Sequence, residues 1–231
     1  MKITMTGNTC ILIMFLCAVV SAGYAETTHP VELQVEISPG REYTHTKWFT
    51  IVPVKLTPQI ACWVEGADSS FVAPIYVTEK AAIGSWRGEK DVRRPEALPV
   101  FFHEIERVGA TVKADAVSGA TPKKGSMGSS SFSQGLHLVP GSYRVMLEVN
   151  SSFDYNESYP KREGDVNGQP SMLYSGEFRI DETGRVSHDS IFLDPVGHGD
   201  PSGKSGTVSS GIGSLTSALE QIERIHVSII K

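Results

Sequence analysis

Apolar and polar residues alternate with a period of two along much of the chain. Residues 31–37, V-E-L-Q-V-E-I, put Val31, Leu33, Val35 and Ile37 on one face and Glu and Gln on the other. Residues 60–65 (I-A-C-W-V-E) and 71–78 (F-V-A-P-I-Y-V-T) flank G-A-D-S-S, which predicts two strands paired around that turn. Residues 143–149 alternate again, with Tyr143, Val145, Leu147 and Val149 to one side. Residues 172–180 and 186–193 follow, joined by the turn D-E-T-G, and 225–230 closes the chain. Strands of this length, separated by Pro, Gly, Asp and Asn clusters, predict an all-β fold: an immunoglobulin-like antiparallel β-sandwich.

Three stretches break the alternation. Residues 214–224 (S-L-T-S-A-L-E-Q-I-E-R) predict one short C-terminal helix, with Ser214 as its cap and Leu215, Leu219 and Ile222 on one side. Residues 87–99 are charged and carry two prolines, which predicts a crossover loop outside the core. Residues 114–135 are rich in Gly, Ser and Lys and predict a long loop. Loops longer than about 12–15 residues are usually functional or disordered, so this one calls for an explanation. There is no heptad, solenoid period or internal repeat.

The N-terminus reads as an export signal. Lys2 precedes an apolar run at residues 10–20, and Gly23-Tyr24-Ala25 supplies a small-x-small site, so residues 1–25 are expected to be cleaved before Glu26. The run is shorter than the roughly 20 residues of a membrane-spanning helix. Cys17 follows Met-Phe-Leu rather than the small residues expected before a lipid-modified cysteine. A periplasmic or secreted protein with no stable membrane anchor is expected, its residues 26–231 forming a single β-sandwich domain. Cys10 and Cys17 leave with the signal, and Cys62, between Ile60 and Val64, reads as a small buried hydrophobe. The net charge is −5, and cleavage removes one Lys and no acid. That balance argues against a nucleic-acid partner.

Several chemical motifs fail on inspection. G-H-G-D-P-S-G-K-S (197–205) resembles a phosphate-binding loop, but the glycine required at position 198 is His198. The mature histidines lack the close spacing of zinc ligands, and His198 with Asp200 makes half a site at most. Asp154, Asn156 and Asp165 offer oxygens for Ca²⁺ in an order that does not match the known loop, so backbone turns are the default. No G-x-S-x-G elbow marks a hydrolase.

One motif survives. Asp115-Ala-Val-Ser118-Gly119-Ala120-Thr121 resembles the flavinylation motif D-x-x-S/T-G-A-T/S, in which an exported FMN transferase joins FMN to the last hydroxyl through a phosphoester. Asp115, Ser118, Gly119, Ala120 and Thr121 all match. Gly119 and Ala120 allow close approach of a phosphate, and Lys123 and Lys124 carry charge to neutralise it. Residues 58–65, 93–100, 115–123, 141–150, 152–157 and 167–174 together resemble a family of bacterial predicted periplasmic proteins. Some members of that family sit among flavin-transfer and extracytosolic electron-transfer systems. The family resemblance implies an exported single-domain β protein, and the motif resemblance implies covalent FMN on Thr121, with an FMN transferase and extracytosolic redox proteins as partners. On that reading Trp63, Trp86 and Phe102 are the candidate rings to stack on the flavin, and Arg93 or Arg94 to meet its phosphate. The alternative is a cofactor-free periplasmic binding or accessory module, with Asp115 and Ser118 closing a turn through backbone hydrogen bonds.

Overall fold

The alternating segments become the strands of two packed sheets. In chain order they are β1 (His29–Pro39), β2 (His45–Phe49), β3 (Val52–Leu56), β4 (Gln59–Gly66), β5 (Phe71–Thr78) and β6 (Ser118–Gly119). They continue as β7 (Ser130–Leu138), β8 (Gly141–Asn150), β9 (Met172–Ile180), β10 (Ser190–Phe192), β11 (Asp194–His198) and β12 (Ile222–Ile230). Two helices, α1 (Glu79–Ile83) and α2 (Pro99–Arg107), interrupt them. The computed structural model describes residues 27–86, 92–110, 131–161, 166 and 168–231, and the backbone alone of residues 118, 119 and 130. The expected signal peptide lies outside the described residues.

One sheet has the order β10-β12-β1-β7 and the other β11-β9-β8-β4-β5-β6, while β2 and β3 pair only with each other. Every described pairing is antiparallel except β5–β6. The chain is therefore an all-β antiparallel sandwich. Its main core joins Val31, Leu33, Val35 and Ile37 of β1 to Ile60, Cys62 and Val64 of β4 and to Val145, Leu147 and Val149 of β8. Tyr76 of β5 stacks on Phe132 of β7 with ring centroids 4.2 Å apart, closing one side of the sandwich between the two sheets. Tyr143, near the start of β8, donates its hydroxyl to the Val139 carbonyl at 2.7 Å, the tyrosine corner of immunoglobulin-like sandwiches. Cys62 is fully buried, which pushes its thiol pKa up.

The six-stranded sheet is buried on its other face as well. Ala61, Trp63, Val77, Met146 and Leu173 point away from the main core and pack against Leu98, Val100, Phe101, Phe102 and Ile105 of the α2 segment. Residues 92–99 are thus no peripheral loop: Pro95–Ala97 form a 3-10 turn, and Ala97, Leu98 and Pro99 are buried against the sheet. The charge in this stretch is confined to its exposed side. Helix α2 starts at Pro99 with Leu98 as an N-cap that offers no side-chain acceptor. Its first free amides are capped from 47–48 residues away. Glu148 of β8 accepts the Val100 N–H at 3.2 Å and the Phe101 N–H at 2.8 Å, and the Ser171 hydroxyl at 2.6 Å.

Glu148 is fully buried, and desolvation pushes its carboxyl up to about 7 despite those three hydrogen bonds and nearby His103. The Gly-rich stretch 197–206 straps this arrangement down. A Cβ on Gly199 would lie 2.5 Å from Ser171 Oγ and 2.7 Å from Pro99 Cγ, and one on Gly203 would lie 2.5 Å from the Glu96 nitrogen. Gly203 also has a left-handed φ of +68°, which disfavours any side chain there.

Three further expectations change at their boundaries. The segment 214–224 is two 3-10 turns, Ile212–Ser214 and Ser217–Glu220, followed directly by β12. Polar contacts break the helix: Gln169 Oε1 takes the Thr216 N–H at 2.6 Å, and Asp154 binds the Ser217 hydroxyl and the Gln221 amide. Residues 130–135 belong to β7, because Phe132, Leu136 and Leu138 face the core along it. The strand expected over 186–193 reduces to β10, which leaves the sheet of β9 to pair with β12. The turn before it is real: Asp181 Oδ1 accepts the Thr183 and Arg185 N–H groups, each at 2.9 Å.

Glu148 makes stability pH-dependent. Its folded carboxyl titrates above that of the unfolded chain, so between the two values the folded state holds a proton that the unfolded state has released. Its contribution is full below about pH 4.5 and is lost as pH rises through about 7. Wild type should therefore lose on the order of 3 kcal/mol relative to Glu148→Gln over that window, read from urea unfolding at a series of pH values. Glu148→Leu, which strands both helix amides, should cost about 2–4 kcal/mol at pH 7.

Candidate functional site

The motif meets the sandwich at one edge of the six-stranded sheet. Ser118 pairs with Val77 and Gly119 with Thr78 in a short parallel bridge, so the backbone of the motif's centre is extended and bonded to β5. Asp115, Ala120 and Thr121 lie outside the described residues, as do Lys123 and Lys124. The strand that receives the motif is held firmly. Thr78 is fully buried, its hydroxyl donates to Gln59 Oε1 at 2.8 Å, and the Ile60 N–H donates to it at 3.3 Å. Helix α1 begins immediately after Thr78 and buries Ala81 in the apolar layer beneath α2.

Aromatic and basic residues gather on the segment that follows. Trp86 is half-buried, donates its indole N–H to the Val92 carbonyl at 2.7 Å, and has the Arg94 guanidinium 5.1 Å from its ring. Arg93 lies 5.5 Å from the Phe102 ring and pairs with Glu106 at 2.6 Å. Of the three rings expected to face a flavin, two are internal. Phe102 packs in the layer under α2. Trp63 is fully buried, 5.7 Å from Phe101, with its indole N–H on Glu65 Oε1 at 2.8 Å. Burial raises the Glu65 carboxyl, opposed by that indole bond and by Arg144. Only Trp86 of the three retains accessible ring surface.

The other candidate groups are occupied by structural work. Asp200 accepts the N–H and hydroxyl of both Ser202 and Ser205 at 2.7–3.1 Å, which lowers its pKa, Ser202 being the main cause. The 197–205 loop therefore satisfies its own donors. His198 Nδ1 lies 2.8 Å from the Gly199 carbonyl. Asp154 binds Ser217 and Gln221, and Asn156 donates to the Ser214 carbonyl at 2.8 Å; Asp165 lies outside the described residues. Among the described residues no group of three His, Cys, Asp or Glu side chains is placed to hold a metal. Ser151 Oγ sits 3.4 Å from His45 Nδ1, but His45 Nε2 has no hydrogen-bond partner, so no carboxylate orients the ring for catalysis.

An open cleft of about 530 Å³ lies at the opposite side of the fold, among Met172, Tyr174, Phe192, Leu219 and Arg224. Strands β9 and β11 border it, far across the sheet order from β6. Two features escaped the sequence reading. Glu148 was signalled only by being an acid between Leu147 and Val149, at an off-core position of β8. The exposed tip between β2 and β3 was hidden by a hairpin whose turn, Thr50-Ile51, contains neither Gly nor Asn.

No protein-family model, no curated protein and no solved structure matches this chain.

The anchoring of β5 is testable without any cofactor. Thr78→Val leaves Gln59 Oε1 and the Ile60 N–H unpaired in the interior, and should cost about 1–3 kcal/mol with an unchanged denaturant slope, measured by urea unfolding.

Proposed function

We propose that this is an exported electron-transfer protein carrying FMN covalently on Thr121. The observation that carries the reading is the five-position match Asp115, Ser118, Gly119, Ala120 and Thr121, whose Ser118-Gly119 centre pairs with β5 as the outermost strand of its sheet. A modification site has to be presented where another protein's active site can reach it, and a sheet edge meets that need better than a face covered by α2. Attachment requires an activated flavin nucleotide as donor. The Thr121 hydroxyl oxygen bonds to the FMN phosphorus, the donor's anhydride P–O bond breaks, its other half leaves as a nucleoside monophosphate, and the hydroxyl proton is released.

The chain's own contribution is position and charge. Asp115 and Ser118 would shape the acceptor turn, Gly119 and Ala120 would leave room for the phosphate, and Arg94 over Trp86 offers a cationic, aromatic surface on the same flank. Bound FMN would supply the one- and two-electron chemistry that no side chain here supplies. Periplasmic or secreted location, an FMN transferase as modifying enzyme and extracytosolic redox proteins as electron partners belong to the same proposal.

A second reading, a cofactor-free periplasmic binding or accessory module, draws on the cleft beside Tyr174 and Arg224. One experiment separates the two. Co-expression with an FMN transferase should add the mass of one FMN less water and give in-gel flavin fluorescence, both lost in Thr121→Ala. An unmodified wild-type mass would sink the flavin reading and leave the binding module.

A further inference from the structure

The hairpin β2–β3 bonds to neither large sheet, and its tip is the most exposed apolar surface among the described residues. Ile51 is 82 % exposed, Trp48 63 %, Val52 49 % and Phe49 43 %. They are consecutive apart from Thr50, which carries a left-handed φ of 56°. That backbone is unfavourable for a β-branched residue, so the turn is held in a strained conformation that offers Ile51 outward. A contiguous patch of this kind marks an interaction surface.

One flank of the tip is seated on the loop at 153–155. Phe49 meets Phe153 edge-on with centroids 5.3 Å apart, and Lys47 Nζ lies 5.2 Å from the Tyr155 ring and 5.9 Å from that of Phe153. Phe153 itself has a φ of 62°, so the loop beneath is also bent to make these contacts.

Charge identifies the occupant. The protein is acidic overall, yet residues 45–56 contain Lys47 and Lys55 and no acid. A Trp-Phe-Ile-Val tip flanked by lysines matches the bilayer interface, where aromatic rings sit at headgroup level and lysines meet anionic lipid. We propose that the β2–β3 hairpin is a reversible membrane-surface contact, with Trp48, Ile51 and Val52 entering the interface and Lys55 facing anionic headgroups, while Phe49 and Lys47 hold the tip against Phe153 and Tyr155. No helix among the described residues is long and apolar enough to cross a membrane. The contact does not rest on the flavin reading.

The test is flotation of the purified full-length mature protein with vesicles of phosphatidylcholine, with and without phosphatidylglycerol. Wild type should float with the anionic vesicles, less so as salt is raised, and its tryptophan emission should shift to the blue. The shift should be lost in Trp48→Phe, which keeps buried Trp63 and half-buried Trp86, neither of them on the hairpin. Trp48→Ser combined with Ile51→Ser should reduce binding at least about tenfold, and Lys55→Ala about fivefold. All three variants change exposed side chains, so their melting should match wild type. Wild type remaining unbound by anionic vesicles would overturn the proposal, as would equal flotation of the Trp48→Ser/Ile51→Ser variant. A tip that captures a membrane protein in detergent while ignoring lipid vesicles would overturn it too, in favour of protein docking.

Discussion

Glu148 sits where two desolvation problems meet. Helix α2 begins with a proline and has no local acceptor for its next two amides, and β8 turns a carboxylate toward an apolar layer. Each group alone would be costly to bury, and together they satisfy one another. The bond fixes the register of α2 on the sheet, and with it the second layer that buries Trp63, Phe101 and Met146. Burying β4 on both faces depends on that layer, and β4 in turn holds Thr78, the residue against which the motif's Gly119 pairs. The candidate site is therefore coupled to a carboxylate on a strand two places away in the sheet.

The sandwich was legible because period-two alternation is a local signal. Val31 to Ile37 and Tyr143 to Val149 each display their inward face without help from the rest of the chain. The pair β4–β5 was legible for the same reason, with Asp68 and Ser70 closing its turn. Helix α2 was not legible, since its cap comes from Glu148 and its prolines and charges look like loop punctuation. The same holds for residues 214–224, where apolar spacing suits a helix but Gln169 and Asp154, from another loop, bind the backbone and side chains that break it. Long-range polar contacts decide both cases, and local pattern cannot carry them.

The site shows the same division. The motif positions from Asp115 to Thr121 are a sequence observation, and the pairing of Ser118-Gly119 with Val77-Thr78 is what the fold adds. The aromatic expectations divided by burial: Trp63 and Phe102 lie on the sheet's covered face, whereas Trp86 follows the end of α1. Distance along the chain could not separate them, because all three rings join the layer under α2 and differ in depth: Trp63 and Phe102 are buried in it, while Trp86 packs at its margin. Asp154, Asn156 and Asp200 resemble ion ligands in sequence, and in three dimensions those carboxylates and that amide organise loops.

The parallel bridge between β5 and β6 also bears on self-association. An open strand edge is a template for pairing with other chains, and any enzyme that draws the motif away from β5 lengthens that edge. Strand β5 is poorly suited to serve as such a template. Pro74 interrupts its donors, and irregular pairing with β4 at Cys62/Trp63 and Val64/Glu65 twists it away from a flat ladder. Three of the four sheet ends are short as well, β6, β10 and β11 being two, three and five residues long, whereas the fourth, β7, has nine. An enzyme that drew the motif from β5 would therefore expose an edge ill suited to pairing with other chains.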